Sequence, residues 1–490
     1  MQKLLALDAG TTGVTGILFD AEMRPLLRAY EEFPQSFPEP GWVEHEAHEI
    51  LGAVDRVLAE LLRSPEATDI AAIGITNQRE TVFALDRRSG QALRPGIVWQ
   101  DRRTSVRCEE LRSGPDSDRI RAKTGLVIDP YFSATKVEWM LENDSALRDR
   151  ARAGEVGFCT VDTLVIHHLT GGQEFVTDPT NASRTMLFDL EGREWDAGLC
   201  EVFGVEREWL PEVRASTGSF GTTSKSVVGL ELPICGVAGD QQAALFGQGC
   251  FEAGDLKCTY GTGCFLLLNT GAERVASERG LLTTLAVARD GSSAFAVEGS
   301  VFVAGAAIQW LRDGLGLIES AEESERLARS VADTGGVFLV PAFTGLGAPY
   351  WDADARGALL GITRGTKRAH VARAALESIA FQDAELIELL RAESGLPIAS
   401  LLVDGGATAN DLLMQMQADF AQLRVARPTQ VEATARGAAL LAAMGSGVVR
   451  DPGDPEGMRA EAQVFEPELD EAAALERLAD WRRAVQRVRS

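Results

Sequence analysis

Positive charge is the first thing this chain is short of: 48 Lys and Arg stand against 72 Asp and Glu, a formal net charge of −24 over 490 residues. Nucleic-acid binders and proteins held on anionic lipid need clustered cations, so the balance argues against both. Cysteine is scattered. Its seven residues, an odd number, run from Cys108 to Cys264 with no C-x-x-C spacing. That argues against a disulfide framework or a structural zinc site, and for a reducing compartment. Histidine is sparse, at five. His45 and His48 read H-E-A-H rather than H-E-x-x-H and sit among Glu44, Glu46 and Glu49, which suits a solvated helix start better than zinc. His167-His168, ahead of Thr170-Gly171-Gly172, suits the end of a helix. With no histidine placed as a general base, a Ser-His-Asp or Cys-His hydrolase has no obvious site. No apolar run approaches the ~20 residues that span a bilayer. Met1-Gln2-Lys3 leads straight into Leu4-Leu5-Ala6-Leu7, leaving no room for a signal peptide. The expectation is a soluble, cytoplasmic protein.

What is present is the ordinary globular mixture, 45% hydrophobic and 24% charged. The length suits two large domains or three smaller ones. Leu4–Leu7 and Val14–Phe19 read as strands around the turn Asp8-Ala9-Gly10-Thr11-Thr12-Gly13, whose glycines offer backbone freedom. A further turn, Asp20-Ala21-Glu22, leads into Pro25–Tyr30, followed by a Pro-rich loop from Phe33 to Pro40. Ile50, Val54, Val57, Leu58, Leu61 and Leu62 recur at helical spacing, and Ile70–Thr76 is a short apolar strand. Strand, strand, helix, strand is an α/β layout. The pattern returns as Leu256–Tyr260, Gly261-Thr262-Gly263 and Cys264–Asn269, so a duplicated unit with a boundary near 245–255 is expected. Ser400–Val403 then ends in Asp404-Gly405-Gly406-Ala407, ahead of a helix with Leu412, Leu413, Met416 and Phe420 on one face. The acidic stretch Asp451–Glu471 reads as a solvated tail and helix cap.

Several polar groups could carry chemistry. The Asp8–Gly13 turn gathers backbone N–H groups, two hydroxyls and a carboxylate, which suits phosphate and water-mediated Mg²⁺, or simply a hairpin turn. Gly261-Thr262-Gly263 offers the same two readings. Neither G-x-G-x-x-G nor G-x-x-x-x-G-K-[ST] occurs at these places, which weakens a Rossmann site and a P-loop. Asp240, where a helix should begin, is either an N-cap or a carboxylate that accepts the proton of a substrate hydroxyl. Asn77-Gln78-Arg79-Glu80 ends an apolar strand, either as a polyol-contacting cluster or as a surface turn with a local ion pair.

Across nearly the whole chain the sequence resembles the glycerol kinases of the FGGY carbohydrate-kinase family, within the actin-like/hexokinase-like ATPase fold. The segments that carry the resemblance are Leu7–Thr12, Pro40–His45, Gly74–Thr81, Ile97–Gln100, Gly125–Ser133, Asn181–Thr185, Ala238–Gln242 and Tyr260–Phe265. Two longer signatures, Tyr131–Asn143 and Gly357–Glu377, also fit. The resemblance implies an α/β fold of two actin-like (ribonuclease H-like) domains with an interdomain active-site cleft. Residues 1–248 would carry the polyol site and first phosphate loop, and residues 249–490 the second phosphate loop and adenosine site.

The activity implied is ATP-dependent phosphorylation of glycerol to sn-glycerol 3-phosphate by a homodimer or homotetramer. By the same resemblance Arg79, Glu80, Tyr131, Asp240 and Gln241 would hydrogen-bond the polyol, while Trp99 and Phe265 pack its carbons. Asp240 would be the general base, and Asp8 with Asp240 would serve Mg²⁺. Thr11, Thr12, Gly13 and Thr262 would face the ATP phosphates; Gly305, Gln309, Gly406 and Asn410 would line the rest of the nucleotide. One departure stands out: these kinases carry Arg, and the wider family often Lys, where this chain has neutral Thr15. Leu230-Glu231 replaces the Arg that binds fructose 1,6-bisphosphate in some relatives, so that regulation is not expected. A kinase for a longer polyol or ketose, and a non-catalytic nucleotide or polyol sensor, are the alternatives left open.

Overall fold

The computed structural model describes residues 2–352, 354–429, 432–459 and 461–489. The chain forms two compact units. The first gathers Met1–Phe251, Thr283–Phe295 and Glu432–Asp454; the second gathers Glu252–Leu282, Ala296–Val431 and Pro455–Ser490.

The first unit is built on a five-stranded sheet. Strands β1 (Lys3–Ala9), β2 (Gly13–Phe19) and β3 (Pro25–Glu32) form an antiparallel meander. On its other side β1 pairs in parallel with β4 (Ile70–Asn77), and β4 with β5 (Ile234–Gly239). Alternation along β1 sends Leu5 and Leu7 to one face, where they join Val14, Leu18 and the apolar stripe Ile50, Val54, Val57 and Leu61 of helix α1 (Ala47–Leu62). Contact there is close: a Cβ on Gly16 would lie 2.4 Å from Val57 Cγ1. The opposite face takes the Ala433–Gly445 helix, with Gly74 against the Ala438 carbonyl and Gly236 against the Ala442 amide. The missing side chains let helix backbone and sheet backbone touch. Helix α2 (Asp240–Gly247) follows β5 directly and packs on the same late helix, Gly437 lying against the Ala243 carbonyl.

The second unit repeats the motif. Strand β6 (Leu256–Tyr260) is antiparallel to β7 (Cys264–Gly271) and parallel to β8 (Ser400–Asp404), which is parallel to β9 (Arg424–Arg427). Helices α3 (Arg368–Ser394) and α4 (Asp411–Ala421) pack on this sheet, and α5 (Glu471–Gln486) packs on both of them. Phe381 stacks between Phe420 and Trp481, at centroid distances of 4.2 and 5.5 Å.

Two local expectations need correcting. The acidic stretch is more than a tail, because Gln463–Phe465 adds an antiparallel strand to β9; Asp470 does cap α5, accepting from the Ala472 amide. His45 is fully buried, edge-on to Phe33 at 5.1 Å, and burial pushes its imidazole down to about 4; only His48 is solvated. All seven cysteines are buried. Yet Cys258 and Cys264 bring their sulfurs within 4.8 Å of a carboxylate oxygen of Asp383, three donors where a closed zinc site takes four. Among the described residues no helix is long and apolar enough to cross a membrane.

Candidate functional site

Strand register assembles the site in the first unit. Ala9, Asn77 and Gly239 are paired neighbours across the parallel strands β1, β4 and β5. The residues just beyond this row therefore converge: the turn after Asp8, the tetrad Asn77–Glu80, and Asp240. Ligands of α/β sheets bind at this carboxyl edge.

Asn77, Gln78, Arg79 and Glu80 are all buried, which rules out a surface turn. Buried polar groups need partners, and each has one. The Asn77 and Asn181 amides exchange hydrogen bonds at 2.9 and 3.2 Å. Gln78 donates to the Gly10 carbonyl and accepts from the Thr81 hydroxyl. Thr81 in turn accepts from the Trp99 amide, and the Trp99 indole donates to the Thr11 hydroxyl at 3.0 Å. This circuit fixes the glycine turn, the tetrad and the Trp99 ring against one another. Trp99 meets Tyr131 edge to face at 5.5 Å.

Arg79 Nε lies 3.1 Å from Asp240 Oδ1 and 3.9 Å from Glu80 Oε1. Its Nη1 donates to Gln242 and its Nη2 approaches the Tyr131 hydroxyl at 3.5 Å. The stem can reach because Gly239 has no side chain; a Cβ there would sit 2.7 Å from Arg79 Cγ. Glu80 has φ 62°, a left-handed conformation disfavoured for glutamate and typical of strain kept at functional sites. Its carboxylate accepts from Arg184 Nε at 2.6 Å, and its carbonyl accepts from Ser133. Asp240 is the first helical residue of α2 rather than its N-cap, which is Gly239. The Asp240 carboxylate, 31% exposed, accepts from the Gln241 amide and pairs with Arg79.

Asp8 is the electrostatic outlier. Burial first, then the negative charges of Asp240 and Glu432, push its carboxyl up to about 8. Among the described residues its buried Oδ1 has no hydrogen-bond partner. Asp8, with its orphaned oxygen, and the neighbouring Asp240 repel each other, a crowding that a divalent cation held through water would relieve, so these two residues fit Mg²⁺.

The glycines of the turn act differently from expectation. Gly10 closes it by donating to the Gly13 carbonyl, and neither residue takes a positive φ. Gly13 is needed for close approach, since a Cβ would lie 2.7 Å from Tyr30 and from the Glu31 carbonyl. Thr12 is exposed and Thr11 partly so.

In the second unit Thr262 lies just past the carboxyl end of β6 with Gly305 against Gly261, while Gly406 and Asn410 follow β8. The Thr262 carbonyl accepts from the Ala304 and Ala306 amides, and Gly305 donates to Gly261. Gly405, at φ 92°, lies against the Tyr260 backbone, and beside it a Cβ on Gly406 would meet nothing within 4 Å. Asn410 caps α4 by accepting from the Leu413 amide. Gln309 ends the short helix Gly305–Gln309, and Phe265 is half-buried on β7.

Sequence reasoning gave no role to Arg184, Gln242 or Glu432. Asn181–Thr185 was a visible motif, but nothing local shows that Arg184 ends beside Glu80. Glu432 precedes an Ala-rich helix, and nothing local shows that its charge acts on Asp8.

The FGGY family of carbohydrate kinases matches the chain with its N-terminal domain over residues 3–247 and its C-terminal domain over 256–446. Glycerol kinase of Alkalilimnicola ehrlichii is 52% identical over 99% of this chain and 98% of its own; that of Aromatoleum aromaticum is 52% identical over 100% and 99%. The crystal structure of Plasmodium falciparum glycerol kinase with ADP superimposes with a TM-score of 0.92 at 34% identity, covering 100% and 98% of the two chains. A xylulose kinase from Lactobacillus acidophilus, at 22% identity, TM-score 0.87 and 99% coverage of both chains, shares the fold. The chain belongs to the FGGY family of carbohydrate kinases.

Proposed function

We propose that the protein transfers the γ-phosphoryl group of ATP to a terminal hydroxyl of glycerol, with Asp240 as general base. The observation that carries this reading is the buried Arg79–Glu80–Tyr131 set beside a half-open Asp240 at the mouth of the glycine turn. A small polyol is apolar in its carbons and needs a partner for each oxygen once buried. Arg79, Glu80, Tyr131, Asp240 and Gln241 supply those partners. Trp99 supplies an apolar wall, and Phe265 of the second unit is proposed as the other.

Asp240 takes the proton of the attacking hydroxyl, and Arg79, at 3.1 Å, holds the carboxylate in place. Thr11, Thr12 and Gly13 receive the β- and γ-phosphates. Thr262, Gly305, Gln309, Gly406 and Asn410 receive the remainder of the nucleotide; the open space at Gly406 supports this. Asp8 and Asp240 would hold Mg²⁺ through water. Bound there, the ion would neutralise charge on the phosphoryl oxygens during transfer. Because the transition state is loose, positioning and charge neutralisation carry most of the catalysis.

Asp240→Asn should fold normally and bind glycerol, yet lose roughly 10²–10⁴ in kcat. Steady-state ADP release measures this, and a kcat within threefold of the parent would remove the base from Asp240.

A further inference from the structure

The carboxyl edge of β1 is crowded with Asp8, Asp240 and Glu432, so a polyphosphate approaching the adjacent Gly10–Gly13 turn meets a negative field. It needs donors and positive charge close by. In the strand register Thr15 stands between Asp8 on β1 and Tyr30 on β3, short and neutral. The Tyr30 side chain extends instead to the turn itself: a Cβ on Gly13 would sit 2.7 Å from both its Cε2 and its hydroxyl oxygen. The residue is still 41% exposed, so the phenol is not simply core packing. Two residues back along β3, hence on the same face, Arg28 places its Cζ 5.7 Å from the Tyr30 ring centroid. Its Nε lies 3.0 Å from Glu432 Oε1.

We propose that Tyr30 and Arg28 form a phosphate-binding element of the nucleotide site, supplying a donor and a positive charge beside the turn. The inference rests on the kinase reading and deepens it. The phenol hydroxyl donates to a phosphate oxygen held at the turn, a hydrogen bond strengthened by the charge of its acceptor. Arg28, packed against the ring, keeps its guanidinium oriented at little entropic cost. Glu432 anchors Arg28 and also repels Asp8, so nucleotide and cation binding are coupled through one side chain.

The test is calorimetric affinity for Mg-ADP, with KM for ATP and for glycerol, in the full chain carrying Tyr30→Phe or Arg28→Gln. Tyr30→Phe keeps the ring and removes only the donor. The proposal expects each variant to weaken ADP binding and raise the ATP KM about 5- to 10-fold. The glycerol KM and the thermal midpoint should stay unchanged. ADP affinity within twofold of the parent for Tyr30→Phe would overturn it. So would a loss shared by both KM values and the thermal midpoint, which would mark Tyr30 as packing. An unaffected Arg28→Gln beside a weakened Tyr30→Phe would overturn the arginine's part. Parent turnover is recorded alongside: its absence with glycerol would count against the kinase reading, while the ADP affinities would still decide the role of Tyr30.

Discussion

At the scale of single residues, the site is a set of charges that would be unstable apart. The Asp8 carboxyl is held at about 8, chiefly by burial and then by Asp240 and Glu432, against roughly 3.9 in an unfolded chain. The folded state therefore binds the proton more tightly. Its stabilising contribution is complete below pH ~4 and is lost as pH rises through about 8. Asp8→Asn should raise the unfolding midpoint of the metal-free protein at pH 9 by several degrees and change it little at pH 5, while removing Mg²⁺-dependent turnover. Thermal unfolding in chelator at the two pH values checks this; equal shifts at both would contradict it. Glu80 and Arg184 present the opposite case, a buried pair 2.6 Å apart with side chains 2% and 0% exposed. Glu80→Gln would remove the negative charge held against the buried Arg184 and should cost about 3–5 kcal/mol in denaturant unfolding. A loss below 1 kcal/mol would mean that other groups already neutralise Arg184.

At the scale of elements, the fold depends on glycines that admit a second backbone. Gly437 lies against the Ala243 carbonyl, to which a Cβ would come within 1.8 Å. Gly437→Ala should therefore destabilise the first unit by about 1–3 kcal/mol through forced separation of two helices. Gly406→Ala should leave stability within ~0.5 kcal/mol, since a methyl there meets nothing, while raising the ATP KM if the nucleotide occupies that space. Chemical denaturation and nucleotide titration separate the two effects. These contacts also show why some elements were readable and others not. The hairpins β1–β2 and β6–β7 announce themselves through apolar runs broken by a glycine–threonine turn, because a hairpin is a local structure. The reason for Gly13 was misread, since the side chain pressed against it, Tyr30, belongs to the next strand. Gln463–Phe465 was missed because three residues inside an acidic stretch carry no period. His45 was misplaced because neighbouring glutamates imply solvent, while the strand Glu44–His45 turns its imidazole inward.

At the scale of the whole molecule, two units repeat one strand arrangement, and the chain's family accounts for both. Asp8, the Asn77–Glu80 tetrad and Asp240 were legible as candidates because each sits at the end of an apolar strand. What the sequence could not show was their mutual placement. Asp240 meets Arg79 across 161 positions and Arg184 meets Glu80 across 104, distances over which only the folded register brings side chains together. The central claim is that this site takes glycerol. Its most direct test is ADP release with ATP and Mg²⁺ over glycerol, erythritol, xylulose, ribulose and gluconate. The account predicts robust turnover with glycerol and at least 100-fold lower kcat/KM for the longer substrates, on the order of 3 kcal/mol of discrimination. Equal or greater turnover with a four- or five-carbon substrate, or none with any of them by a folded protein that binds ATP, would contradict it.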